Sequence, residues 1–244
     1  MALGQRDLAR ADFERSMAEV AAIKGAVGVE LLGLHDNLAR AIDDPERRRT
    51  LYAETADLLS RAVGPEHPLT LEHRCRAAEA TATAGDAAAA LAAPCFALSR
   101  LHPGEGAPIA NCAFELGWLA YSGGDATTAH RAYALVVAAP GADEHRVWIA
   151  RGFLALLDGH PAETVATLDA YLKEARSIRA SWFASVLVAD AALGRALALR
   201  ALRKPGSAEA LAQARAGYLE GQAASGHPQW ARRIAYVDAL GTAP

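Results

Sequence analysis

Lysine is nearly absent from this chain. Lys24, Lys173 and Lys204 are the only three in 244 residues, and arginine supplies the other 22 of the 25 basic side chains. Against 28 acidic residues this leaves a formal net charge of −3, so no basic surface for nucleic acid is expected. The one dense basic run, Arg47-Arg48-Arg49, reads as a solvated helix face. The three cysteines, Cys75, Cys95 and Cys112, are widely spaced and include no Cys-x-x-Cys. An odd, scattered set reads as reduced, buried thiols in a reducing, cytoplasmic compartment. Residues 1–25 are charged throughout and hold no apolar core segment, so no signal peptide is expected there. The most apolar region, 180–202, is interrupted by Asp190, Arg195 and Arg200, which argues against a membrane span.

Apolar–polar alternation of period two does not persist anywhere, and there is no Asn-Gly hairpin signal. Motifs of chemistry are missing too. There is no Gly-x-Gly-x-x-Gly, His-Arg-Asp, Asp-Phe-Gly, Gly-x-Ser-x-Gly or His-Glu-x-x-His. Leu34-His35-Asp36-Asn37 bears a passing likeness to a kinase catalytic loop but lies in a helical pattern. His67, His73 and Cys75 lie near one another, yet His67 reads as part of a turn and His73 as a helix-surface residue. No catalytic group, cofactor or metal is expected, and the chain reads as a non-enzyme.

Apolar residues amount to 52% with aromatics at only 6%, and alanine is abundant. That composition suits closely approaching helices better than a sandwich of sheets. Apolar spacing predicts a first helix over 6–23, a second over 29–42, and a third that starts at Asp44-Pro45 and runs to about residue 63. Helix pairs follow over 69–84 and 87–101, about 107–140 with a turn at Gly123-Gly124-Asp125, 144–157 and 162–177, and 180–203 and 207–224, with Ser207 as an N-cap. A last helix over 229–240 carries Arg232, Arg233 and Asp238 on its polar side, as an end cap would. Turn glycines recur at Gly85, Gly124 and Gly159, with spacings of 39 and 35.

Within 107–140, Leu116, Gly117, Ala120, Ala129, Tyr133, Val136 and Pro140 resemble the tetratricopeptide pattern, and Trp148 and Gly152 take its Trp-x3-Gly places. Gly64-Pro65-Glu66-His67-Pro68-Leu69-Thr70-Leu71 resembles the inter-unit motif of kinesin-light-chain-type repeats. The segment 208–240 is similar to the repeat regions that follow the catalytic domain in bacterial serine/threonine protein kinases. The resemblance implies an all-α, tetratricopeptide-like solenoid of antiparallel helix pairs in a right-handed superhelix, with ten or eleven helices. It divides the chain into an N-terminal helical layer over 1–44, repeats over 45–226, and a cap and tail over 227–244. Kinesin-light-chain repeats hold a peptide backbone with neighbouring asparagines. The matching places here are Cys75-Arg76, Phe114-Glu115 and Ile149-Ala150, so that mode does not carry over.

The resemblance implies that the first helix of each pair lines a concave face. The candidates there are Glu72, Glu79, Asn111, Phe114, Trp118, Tyr121, Arg146 and Phe153. For Trp118 and Phe153 the alternative is inter-repeat core. The function expected is a scaffold binding a protein or peptide, regulatory in a bacterial signalling protein. The alternative is a small-ligand sensor with an apolar pocket enclosed by the repeats.

Overall fold

The structure, a computed structural model, describes residues 3–24, 34–35, 37–39, 41–42, 44–81, 84–175 and 181–242. The described residues form eleven helices and no strand. They belong to two compact units, Met1–His102 and Pro103–Pro244. That division falls inside the stretch 45–226 and is not marked by the repeat pattern.

The first unit holds α1 (Leu3–Lys24), α2 (Pro45–Val63), α3 (Pro68–Glu79) and α4 (Ala84–Leu101). Half of the second expected helix, over 29–42, lies outside the described residues; 34–35, 37–39 and 41 are helical, and Leu38 and Ile42 are buried. The start signal at Asp44-Pro45 forms as read, because the Asp44 carboxylate accepts from the Glu46 amide at 3.0 Å and proline needs no donor at this position. The basic run that follows is not one solvated face. Arg47 pairs with Glu14 at 2.6 Å and Arg49 with Glu46 at 2.9 Å, but Arg48 is buried and donates to the carbonyls of Ala39 (3.0 Å) and Ile42.

The motif 64–71 closes on itself. Gly64 takes a φ of 105°, which a side chain would resist, and ends α2. The buried Thr70 hydroxyl donates back to the Gly64 carbonyl at 2.9 Å. His67 caps α3 through Nδ1, accepting from the Leu69 amide at 3.3 Å. His73 is buried rather than on a helix surface, with its ring edge toward Tyr52 and Nδ1 2.9 Å from the Leu69 carbonyl. α3 stops at Glu79, short of the expected residue 84, and Gly85 falls in the first turn of α4 instead of at a turn. The Thr81 amide closes this end on the Ala78 carbonyl at 3.0 Å, and threonine favours such ends over helix interiors.

The second unit holds α5 (Gly106–Ser122), α6 (Ala126–Ala138), α7 (Glu144–Leu157), α8 (Pro161–Ala175), α9 (Trp182–Ala201), α10 (Ser207–Ser225) and α11 (Pro228–Thr242). Consecutive helices pack on one another, and α9 also packs on α7. Three turns share one bond. The Asp125 amide reaches the Ala120 carbonyl, His160 reaches Ala155, and Lys204 reaches Leu199, at 2.8–2.9 Å. Each bond spans six residues around a left-handed residue, as in a Schellman ending. Gly124 and Gly159 fill that place in the first two turns, with φ of 82° and 80°, while Arg203 fills it in the third with φ of 54°. Ser207 is not an N-cap. Gly206 precedes α10, and the Ser207 hydroxyl donates to the Ala196 carbonyl at 3.3 Å.

Small residues set the helix approaches. A Cβ on Gly117 would meet the Tyr133 ring at 2.8 Å, and one on Gly152 would meet Leu168 at 2.6 Å. Both pairs recur with a spacing of 35, so one knob and one hole repeat in successive copies. Gly106 lies against the backbone of Pro140, which explains why a glycine opens α5. The expectation of three reduced thiols fails for two of them. Cys75 and Cys112 are disulfide cysteines, so cysteine usage does not point to a reducing compartment. α9 is long and apolar enough to cross a membrane, but most of it is buried within its unit.

Candidate functional site

Glu72 and Glu79 lie on α3 of the first unit, on either side of Arg76. Glu72 pairs with Arg76 at 2.6 Å. Burial lowers the Arg76 pKa, and the charge of Glu79 opposes that shift. Both carboxylates therefore serve a local cluster. The other six candidates lie in the second unit and separate into two groups.

Asn111 and Arg146 come together. The Arg146 guanidinium donates to the Asn111 side-chain carbonyl and stacks over Phe114 (5.9 Å) and Phe183 (5.4 Å). Asp143 accepts from the Arg146 amide at 3.0 Å and caps α7, which fixes where this arginine projects. Beside it, Trp182 and Phe183 pack edge to face at 5.9 Å and remain 42% and 40% exposed. Ser181 caps α9 here, accepting from the Ala184 amide at 3.1 Å, so both aromatics lie in its first turn. The sequence reading passed over them. The available signal was two adjacent aromatics directly after a capping serine, where a helix has no preceding turn to bury them.

Phe114, Trp118 and Phe153 are interior residues, 5%, 2% and 1% exposed. They are packed rather than open to a partner because Phe114 meets Tyr133 at 6.1 Å, Phe153 stacks on Tyr133 at 5.1 Å, and Trp118 meets Tyr236 of α11 at 6.2 Å. Tyr121 is half-buried, edge-on to Phe153 at 5.4 Å, and burial pushes its hydroxyl up to about 12.

Around Trp118 lies an ionic cluster, which the sequence reading missed. Arg233 of α11 is 1% exposed, against the expectation of a polar outer side. Its Nε donates to Asp190 of α9 at 3.1 Å, and its terminal nitrogens reach Glu115 of α5 at 3.0 and 3.4 Å. Its guanidinium carbon lies 4.5 Å from the Trp118 ring, 5.3 Å from Trp230 and 5.9 Å from Tyr218. The Tyr218 hydroxyl donates to Asp190 at 2.7 Å. Arg232 approaches Glu115 at 4.0 Å. Burial pushes the Asp190 carboxyl up, while Arg233 and the Tyr218 bond pull it down. Burial works against the Arg233 charge, but Asp190 and Glu115 more than offset it, so its pKa is raised. The signal was legible in principle. Glu115 and Asp190 interrupt apolar helices, and Trp230, Arg233 and Val237 share one face of α11.

The described residues hold no group of three or more His, Cys, Asp or Glu side chains placed to bind a metal ion. A groove of about 610 Å³ is lined by Asp169, Lys173, Arg195, Glu209 and Gln213 among others. Leu172, Ala175, Val188 and Ala210 complete that lining, and a second groove of about 580 Å³ is lined by Leu211, Ala212, Arg215 and Val237 among others.

Paired helices, a repeated glycine-and-knob contact and Schellman turns define a tetratricopeptide-like helical-repeat protein. A crystal structure of nearly identical TPR-like repeats from a Podosopora anserina kinesin light chain shares this fold, with a TM-score of 0.52 and 19% identity over 78% of this chain and 96% of that one. No protein-family model matches the chain, and no curated protein matches it.

Proposed function

We propose that the chain is a non-catalytic helical-repeat scaffold that binds a protein partner through the rim formed by Asn111, Arg146, Trp182 and Phe183. The observation that carries this reading is the pair of exposed aromatics, 42% and 40% accessible, beside a stacked and hydrogen-bonded arginine. Tryptophan and arginine dominate interface hot spots. Arg146 is held in place before binding, which lowers the ordering cost of association. Tyr121 borders the interior and is the secondary member of the surface.

The resemblance to repeat regions of bacterial serine/threonine protein kinases adds a regulatory signalling role to the proposal, with 1–44 as an N-terminal layer, 45–226 as repeats and 227–244 as cap. The length of the gene product tests that setting. Kinase motifs in the same polypeptide support it, and a polypeptide without them overturns it.

The binding surface is tested by cross-linking in cells followed by affinity measurement with the identified partner. Trp182→Ala and Arg146→Ala are each expected to weaken the complex by roughly 1–3 kcal/mol with helical content unchanged. Unchanged affinity in both variants removes the rim from the account.

A further inference from the structure

Two of the eight histidines are buried, and both lie in the first unit. His35 is 9% exposed and His73 is 8% exposed, whereas the rest are half-buried or exposed. Both rings meet α2. His35 reaches Thr55 through Nδ1 at 3.0 Å, and His73 lies edge to face with Tyr52 at 6.4 Å. Hydrogen bonding fixes which ring nitrogen carries the proton. The Leu69 carbonyl can only accept, so His73 Nδ1, 2.9 Å away, is the donor. The Thr55 hydroxyl donates to the Leu51 carbonyl at 2.7 Å. Its oxygen is left to accept, so His35 Nδ1 donates as well. Each neutral ring therefore keeps its lone pair on Nε2. His73 Nε2 is fully buried and has no hydrogen-bond partner among the described residues. A proton arriving there would create a buried cation with an unmet N–H.

The surrounding charges do little to offset that cation. α2 supplies Glu54, which is exposed, and Arg48, which is buried, positive and bonded to the carbonyls of Ala39 and Ile42. On α3, Glu72 is engaged with Arg76 at 2.6 Å, and Glu79 acts on that same arginine. α4 packs on α3 and holds its charged residues, Asp86 and Arg100, exposed in its end turns. Burial lowers the His35 pKa, Glu54 opposes the shift, and the charge of His73 adds to it. We propose that His35 and His73 form an acid-sensitive latch. Protonation loosens the packing of α3 and of the residues around His35 on α2, while the second unit stays folded. The latch would put the Glu72–Arg76 cluster of α3 under pH control. In the unfolded chain His35 takes its proton near 6.5, and in the folded chain below that value. Stability is therefore full above this pH and is lost as pH falls below it. The second unit has no buried histidine. Its buried Asp190 has a raised pKa, which favours the folded state as pH falls.

The test is hydrogen exchange on the full chain at about pH 7.5 and about pH 5.5, corrected for the intrinsic exchange rate. Protection of the α2 and α3 amides should fall roughly tenfold or more at the lower pH, while that of α9 changes by less than about twofold. Unchanged protection of α2 and α3, or an equal fall in α9, overturns the proposal. The double variant His35→Asn, His73→Asn separates a latch from a merely structural role. Asparagine keeps an N–H donor near the place of Nδ1 and does not titrate. The acid response of α2 and α3 should shrink to less than about twofold in this variant, whatever its own stability. A double variant that keeps the full response overturns the proposal. If it does not fold, ring-proton titration of the wild-type chain decides. The His35 resonance should titrate below those of the exposed histidines and in step with the loss of α2 protection. A His35 ring that titrates together with the exposed histidines overturns the proposal.

Discussion

Gly117→Ala adds one methyl group where the fold leaves no space for it. The new Cβ would lie 2.8 Å from Cε1 of Tyr133 and 2.9 Å from Cδ1 and Cζ. The ring cannot swing aside, because Tyr133 is fully buried, stacked on Phe153 at 5.1 Å and edge-on to Phe114 at 6.1 Å. Forcing a methylene into such a site costs roughly 1–3 kcal/mol. Alanine recovers roughly 0.5–1 kcal/mol of backbone preference inside a helix. The expected net loss is about 0.5–2 kcal/mol, a fall in Tm of roughly 1–8 °C for a chain of this size. Denaturant unfolding followed by circular dichroism measures it, with Gly104→Ala as control because nothing lies within 4 Å of that site. The control should stay within about 0.5 kcal/mol of wild type. A Gly117→Ala protein as stable as its control would show that α5 and α6 do not meet through Tyr133.

Arg203→Gly should stabilise the chain by about 0.5–1 kcal/mol, because it relieves a left-handed residue at a helix ending; an unchanged or lower melting temperature counts against the Schellman turn there. Thr70→Val should cost about 0.5–1.5 kcal/mol through loss of the bond to the Gly64 carbonyl, and Thr70→Ser should recover most of it; equal effects of the two would exclude the hydroxyl. Burial raises the pKa of Tyr121, Tyr133, Tyr171, Tyr218 and Tyr236, five of the six tyrosines. Below the unfolded value of 10.0 both states keep these protons; above it the unfolded chain ionises first, so stability is lost as pH rises through the folded values. Tyrosinate absorbance should therefore rise little near pH 10 and step up on alkaline unfolding, and six tyrosines titrating together in the folded chain would refute this.

Local signals were legible in the sequence wherever a single turn decides the structure. Asp44-Pro45 starts α2, and Gly124 and Gly159 end α5 and α7, because caps and left-handed residues act within a few positions. Gly117 was legible as a close crossing because the repeat fixes what lies opposite. Ser207 misled because a glycine already caps α10 and leaves its hydroxyl free to reach Ala196. For the candidate site, Asn111 and Arg146 were found through their shared place on first helices, and they bond to each other. Phe114 was read as open, and Trp118 and Phe153 as either open or inter-repeat core, because helix position alone does not say what covers a face; all three are interior. The cover is partly α11, whose Arg233 meets Glu115 across 118 residues of sequence. No local pattern announces such a pairing, although unpaired acids in apolar helices and an arginine on an apolar face are its two halves.

Arg233 is held dry between two carboxylates and an indole ring. Nitrogen–proton correlation spectra of the arginine side chains test it directly. The expected result is a slowly exchanging Nε–H resonance, displaced by the Trp118 ring current, that disappears in Arg233→Lys. Spectra in which Arg233→Lys removes only a fast-exchanging, undisplaced resonance would contradict it.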